Sequence, residues 1–282
     1  TLNGTVNANG LSTTAWYNYS TTSGSYTGTS TTQSVSGSSD TTISIGISEL
    51  SSSTTYYYRI AASNSAGTSY GSEMLFTTSA PADTTAPAGS VRINSFASYT
   101  NSTTVTLSLS ATDSTGVTGY YLSDSSTTPS SSASGWTSVT STTSYSGSVS
   151  YSFSGGEGSK TIYAWYKDAA GNVSSTASAT ITYDTTVPTV TISSPTSSST
   201  YTATSSTISM GGSASDSSSG IGSVAWSNDR GGNGTATGTA SWTISSISLS
   251  SGDNIITVTA RDGAGNSGTD TLQVTYSTTT VS

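Results

Sequence analysis

The sequence predicts an all-β chain of three tandem β-sandwich domains arranged as an extended rod. Apolar residues alternate with Ser, Thr or Gly, as at Ile43, Ile45 and Ile47, and a period of two is typical of strands with one buried face. Clusters of Gly, Ser, Asn and Asp separate these runs at the spacing of small sandwiches. A signature that occurs twice, about one domain apart, indicates repeated modules.

The repeated signature has three parts. The sequence DTTAP at 83–87 is echoed by DTTVP at 184–188, and ATD at 111–113 is echoed by ASD at 214–216. KDAAGN, ending at Asn172, is echoed by RDGAGN, ending at Asn266. The copies lie about 100 residues apart, which is the size of one small sandwich.

The composition favours sandwiches with thin cores and a hydroxyl-rich surface. Ser and Thr make up 126 of the 282 residues, whereas apolar residues make up 31% and charged residues 7%. Disordered chains combine low hydrophobicity with high charge and few aromatic residues. This chain instead has 17 Tyr, 5 Trp and 3 Phe, and Thr, Tyr and Val suit half-buried pleated surfaces. We therefore expect folded β-structure.

The first module is predicted at residues 1–79. Its second half contains Leu50, then Tyr56 in a strand-like run, and then the sequence ASNSAGTSYG at 62–71. This pattern resembles fibronectin type III domains, and the resemblance implies that Leu50 and Tyr56 form a corner in which the Tyr hydroxyl bonds to upstream backbone. We expect Trp16 to fill the core between the two sheets.

The second and third modules are predicted at 83–183 and 184–277, followed by a tail at 278–282. Both modules resemble bacterial immunoglobulin-like repeats. Trp165 lies on the penultimate predicted strand of the second module, and Trp226 and Trp242 lie on strands of the third. The X-Pro linkers contain no Gly-rich slack, so the modules are expected to stack semi-rigidly.

The start of the first module predicts a mode of assembly. The run Leu2–Val6 matches the second strand of the fibronectin type III pattern, so the usual first strand is missing and an edge is open. The tail at 278–282 is uncharged and β-prone. Either one chain's tail completes the next chain's first module and builds a head-to-tail filament, or the chain is one unit of a longer array.

The composition also excludes several function classes. The chain has no His and no Cys, so Ser-His-Asp and Cys-His catalytic sites are impossible, and we predict that it is not an enzyme. The net charge is −8, with 6 Lys and Arg residues in total, which disfavours nucleic acid as a partner. No apolar run is long enough to span a membrane.

Two acidic triplets are the candidate metal ligands, because the repeated signature places an Asp in each of its three parts. In a sandwich these positions meet at one pole, and three carboxylates with nearby carbonyls offer the six to eight oxygens that Ca²⁺ takes. The alternative is that each Asp only forms a local turn. The predicted ligands of interdomain calcium are Asp83, Asp113 and Asp168 in the first triplet and Asp184, Asp216 and Asp262 in the second.

Two functional interpretations remain open at this point. In the first, the chain is a non-enzymatic structural protein of the extracellular space or bacterial cell surface, such as a stalk or fibre subunit. In the second, it is an accessory carbohydrate-binding or adhesive region of a larger secreted enzyme or adhesin, or a phage fibre domain. Surface glycans would then be ligands of exposed aromatic residues among Trp136, Trp226 and Trp242.

Overall fold

The alternating residues fold into strands throughout the described part of the chain. The computed structural model describes residues 1–277, which form 22 strands and no helix. The predicted tail at 278–282 lies outside the described residues. The described chain divides into two compact units that meet between Asp83 and Thr84, and the predicted all-β sandwich class is confirmed.

The first unit packs two antiparallel sheets around a small core. Strand β1 pairs with β5 in one sheet, and the other has the order β3-β2-β6-β7, with β4 also on β2 and β8 also on β6. Its strands are β1 (Leu2–Asn7), β2 (Thr13–Ser20), β3 (Gly28–Thr29), β4 (Gln33–Val35), β5 (Asp40–Ile45), β6 (Thr55–Asn64), β7 (Gly67–Tyr70) and β8 (Met74–Thr77).

Two aromatic predictions in the first unit have different outcomes. The Ser51 N–H donates a hydrogen bond to the Tyr56 hydroxyl at 3.0 Å, so the corner that the fibronectin resemblance implies is present. The expectation for Trp16 was wrong, because Tyr17 is 1% exposed and fills the core. Thr13, Ala15 and Tyr17 are buried on one face of β2, so Trp16 lies on the other face, where its indole N–H donates to Asn18 Oδ1.

The second module forms one sheet that folds over its own core. Strand β11 pairs with β9 along residues 107–112 and with β13 along residues 117–123, so one strand serves both layers. The sheet order is β10-β14-β13-β11-β12. Its strands are β9 (Ala88–Ile93), β10 (Tyr99–Thr100), β11 (Thr104–Ser123), β12 (Thr137–Ser152), β13 (Gly158–Asp168) and β14 (Ala177–Tyr183).

The third module has two separate sheets, with the orders β15-β17-β20 and β16-β22-β21-β18-β19. Its core includes Trp242, Ile256 and Val258 and shares no buried member with the core of the second module. Its strands are β15 (Thr189–Ser194), β16 (Thr200–Ala203), β17 (Thr207–Ser215), β18 (Ile221–Asn228), β19 (Asn233–Thr235), β20 (Ser241–Ser248), β21 (Gly252–Asp262) and β22 (Ser267–Tyr276).

Candidate metal centre

Three strand ends bring the second acidic triplet together. Asp184 directly follows β14, Asp216 directly follows β17, and Asp262 is the last residue of β21. Each residue offers a carboxylate oxygen, and these three oxygens lie within 4.8 Å of one another. Oxygens that share one Ca²⁺ at about 2.3–2.6 Å lie no more than about 5 Å apart. The spacing therefore allows all three carboxylates to contact a single ion.

Each carboxylate of this triplet is oriented by hydrogen bonds from neutral groups. Asp262 accepts bonds from the N–H groups of Gly265 at 2.6 Å and Asn266 at 2.8 Å, and from the Asn266 amide. Asp184 accepts bonds from the Thr186 N–H at 2.9 Å and from the Ser219 hydroxyl. These donors fix the carboxylate positions without neutralising their charge.

Asp216 shows the clearest demand for a further partner. Burial raises the pKa of its carboxyl, but the N–H groups of Ser219, Ser218 and Gly220 outweigh burial and hold this pKa below its usual value. All three N–H groups bond to Oδ1, at 2.8 to 3.1 Å. The other oxygen, Oδ2, is buried and has no hydrogen-bond partner among the described residues. A buried carboxylate oxygen without a partner is costly, and a bound cation would remove that cost.

Burial makes the repulsion within the triplet significant. Asp184 is 0% exposed and Asp262 is 4% exposed. Three carboxylates this close repel one another, and a bound cation would offset that repulsion. The oxygen atoms gathered at the site are of the kind that a hard cation such as Ca²⁺ prefers.

The second module repeats two thirds of this arrangement. Asp113 Oδ1 accepts bonds from the Thr115 and Gly116 N–H groups at 2.9 Å, as Asp216 does in its own loop. Asp168 accepts bonds from the main chain and side chain of Asn172, as Asp262 does from Asn266. Asp83 is the last residue of the first unit, and its participation in this site stays a prediction.

Sequence reasoning missed two groups near the triplet. The Ser219 hydroxyl links the Asp184 carboxylate to the Ala264 N–H. Glu157, which lies in the loop before β13, accepts bonds from the N–H and hydroxyl of Thr185 and from the hydroxyl of Thr186. The Thr185 bonds and the Thr186 hydroxyl hold the pKa of the Glu157 carboxyl below its usual value. Neither residue lies in a repeated motif, so no sequence signal singled them out.

The tryptophans give limited support to a carbohydrate platform. Trp242 is fully buried, so it cannot contact a surface glycan. Trp226 is half-buried beneath Gly232 and Gly234. Trp136 is half-buried, with the Lys167 ammonium 4.8 Å from its ring centroid and its indole N–H bonded to the Ser130 carbonyl. These indoles are separately packed and form no shared flat surface in the described residues.

Comparison with known proteins agrees with the all-β architecture. Residues 188–274 match the family model of the bacterial Ig domain, and no curated protein matches the chain. No helix within residues 1–277 is long and apolar enough to cross a membrane.

Two solved structures are similar to the chain at 18% identity. The fibronectin(III)-like modules of CbhA from Clostridium thermocellum have a TM-score of 0.43, with 68% of this chain and 96% of that chain covered. A bacterial ice-binding adhesin has a TM-score of 0.44, with 94% of this chain and 87% of that chain covered. At TM-scores below 0.5 these similarities add nothing to the fold that the strand pairing defines. Residues 188–274 are thus similar to the bacterial Ig domain, within a chain built from β-sandwiches.

Proposed function

We propose that the chain is a non-enzymatic structural segment of a bacterial extracellular or cell-surface protein, serving as a modular stalk or fibre subunit. The observation that supports this function most directly is the serial repetition of sandwiches with separate cores. A series of modules that each bury their own apolar residues can bear load or set a distance without a ligand. Domains of the bacterial Ig family are typically structural or adhesive.

A stalk should resist pulling one module at a time. In single-molecule force measurements on the full chain, we expect separate rupture events. Unfolding the stretch 188–274 should release about 300 Å of chain at about 3.4 Å per residue. Rupture of the whole chain in one event, or extension without measurable resistance, would contradict the proposal. Turnover of a hydrolase substrate that one Asp substitution abolishes would contradict the non-enzymatic part.

We also propose that calcium stiffens this segment at the start of the third module. The ligands are Asp184, Asp216 and Asp262, and the support for them is their 4.8 Å spacing and the unpaired Asp216 oxygen. The Asp184 main chain contributes to both modules, because its N–H bonds to the Thr100 carbonyl and its own carbonyl accepts from the Asn266 amide. An ion at this point would therefore tie the second module to the third.

Head-to-tail assembly is the finer form of this proposal. Strand β1 pairs with β5, and no other described strand lies on its second edge, so its outer N–H and C=O groups can accept a further strand. The occupant that we propose is the segment 278–282 of another copy, which is uncharged. A contact of this kind is heterologous and extends into a filament.

Deleting residues 278–282 tests this assembly. Electron micrographs of the full chain should show fibres, and the shortened chain should form none, because the donated strand is gone. Replacing Thr279 with Ser, which keeps the length and the uncharged character of the segment, is the matched control and should leave fibres intact. Fibres that persist in the shortened chain, or full-length protein that forms none, would refute strand complementation and leave the stalk function to the force measurement.

A further inference from the structure

The open edge of β12 is the longest strand edge without a described partner in the second module. This strand spans Thr137–Ser152 and pairs with β11, while no other described strand lies on its outer side. Proteins protect such edges with charges, prolines, bulges or short length. Strand β12 has 16 residues and contains no charged residue and no proline. Its edge is thus a template for another strand.

The second half of β12 is also the most regular part of that edge. Residues 144–152 pair with residues 104–112 of β11 without a register shift, whereas the shifts fall between residues 112 and 119 of β11. The odd-numbered side chains of this half are half-buried against the core, and the serines between them are exposed. Tyr145 is anchored there, because its ring lies over Gly147 and stacks on Tyr120 at 6.0 Å between centroids.

The sequence of this half is almost symmetric about Ser148. It reads Ser-Tyr-Ser-Gly-Ser-Val-Ser-Tyr-Ser, and only the exchange of Gly147 for Val149 breaks the symmetry. In an antiparallel pair of two copies centred on Ser148, Tyr145 of each copy faces Tyr151 of the other. Aromatic residues that face each other across strands stabilise a sheet. Gly147 faces Val149, which leaves room for the larger side chain.

We propose that two copies of this chain pair laterally through β12, in antiparallel register, with Ser148 on the two-fold axis. A contact of this kind is isologous, so each residue meets its mirror position and the pairing closes at two chains. Facing serines can share hydroxyl bonds, as Ser90 and Ser110 do at 2.9 Å and Thr104 and Ser152 do at 2.9 Å within the sheet.

Charge explains why a second copy is a suitable occupant. The chain carries a net charge of −8, so two copies repel each other in most relative orientations. The edge at 137–152 is neutral, and the charged residues in register with it, Arg92, Lys167 and Asp168, each lie one strand further in, on the far side of β11. Nine paired residues make a small interface, so we expect weak pairing that becomes significant when chains are held side by side.

A single cysteine at the axis tests the register directly, since the chain has no Cys. In the full chain, Ser148→Cys should form a disulfide-linked dimer under mild oxidation, because facing Cα atoms lie about 4.5–5.5 Å apart and disulfides span about 4.4–6.8 Å. Ser144→Cys is the matched control. In the proposed register, the two substituted positions would lie eight residues apart along the strands, about 27 Å. We therefore expect this variant to cross-link at least roughly tenfold more slowly than Ser148→Cys.

Sedimentation provides a second measurement that needs no cross-link. The chain without residues 278–282, which lacks the proposed fibre contact, should show concentration-dependent dimers, and Ser148→Lys in that chain should remove them, because two ammonium groups would meet on the axis. Thr106→Lys adds the same charge to the same exposed face of the sheet, but on β11, one strand in from the edge. This variant should leave the dimer unchanged. Equal cross-linking of the two cysteine variants, or a shortened chain that is monomeric at every concentration, would overturn the proposal and leave the edge to a strand from a different protein.

Discussion

Calcium at saturating concentration is expected to raise the midpoint of thermal unfolding of the second unit by about 5–10 °C. A ligand present at 100 times its dissociation constant stabilises the folded state by about 2.7 kcal/mol, and each kcal/mol shifts the midpoint by about 2–4 °C in a unit of 150–250 residues. The gain arises because an ion relieves the repulsion among Asp184, Asp216 and Asp262 and gives the buried Asp216 Oδ2 a partner. Calorimetry in chelator and in millimolar Ca²⁺ measures it.

Asp216→Asn is the sharpest variant for this prediction. The amide oxygen can keep the bonds from Ser218, Ser219 and Gly220, while the charge and the second ligand oxygen are lost. We expect the calcium response to disappear and the calcium-free stability to remain within about 1 kcal/mol of wild type. Asp229→Asn is the matched control, because Asp229 lies outside the triplet and should leave the response intact.

Acid should also remove the calcium response. The folded-state pKa of Asp216 lies below its usual value, so its ionised form contributes stability above the unfolded pKa of about 3.9. That contribution is lost as the pH falls through the folded-state pKa. A midpoint that shifts equally with calcium at neutral pH and below pH 3, or an undiminished response in Asp216→Asn, would contradict the site.

The acidic triplets were predictable because their spacing recurs, whereas their neighbours were not. Asp216 and Asp262 stand in motifs that repeat those around Asp113 and Asp168, and both pairs make the same loop hydrogen bonds. Ser219 lies in a loop that is one residue longer than its counterpart after Asp113. A change in loop length moves side chains in ways that local patterns do not predict.

The strands were predictable from the alternation of apolar and polar residues. Which residues of a strand face the core, and where the strand lies in its sheet, were harder to predict. On β2, two adjacent aromatic residues fit the same alternating pattern, and a shift of one residue exchanges the buried one. The buried Thr13 and Ala15 set the phase and place Tyr17 inside. The alternation at Val149 and Tyr151 predicted a strand, yet its place at the sheet edge depends on pairing with β11, which is distant in sequence.

Replacing Trp242 with alanine is expected to remove about 3–5 kcal/mol from the folding free energy of the third module, because a fully buried indole is lost from its core. The indole packs directly over Gly212, where a Cβ would lie 2.6 Å from Cζ2, and glycine has no side chain that could turn into the cavity. Stabilities of single domains are about 5–15 kcal/mol, and the loss is therefore a large part of the total.

Two further variants show which interactions stabilise each module. Trp242→Phe separates the contribution of the ring from that of its N–H, and Trp165→Ala tests the second module. The buried Trp242 indole N–H has no hydrogen-bond partner in the described structure, so Phe removes an unpaired donor and keeps most of the ring, and we expect less than half of the alanine loss. Trp165→Ala instead removes a fully buried indole of the second module, which packs against Tyr121 and Tyr163 on the face of β13 opposite the main core. Since the two cores share no buried residue, calorimetry should show each alanine variant lowering a different transition. If both variants lower one common transition by the same amount, the two modules unfold as a single cooperative unit, and the chain cannot yield module by module under load.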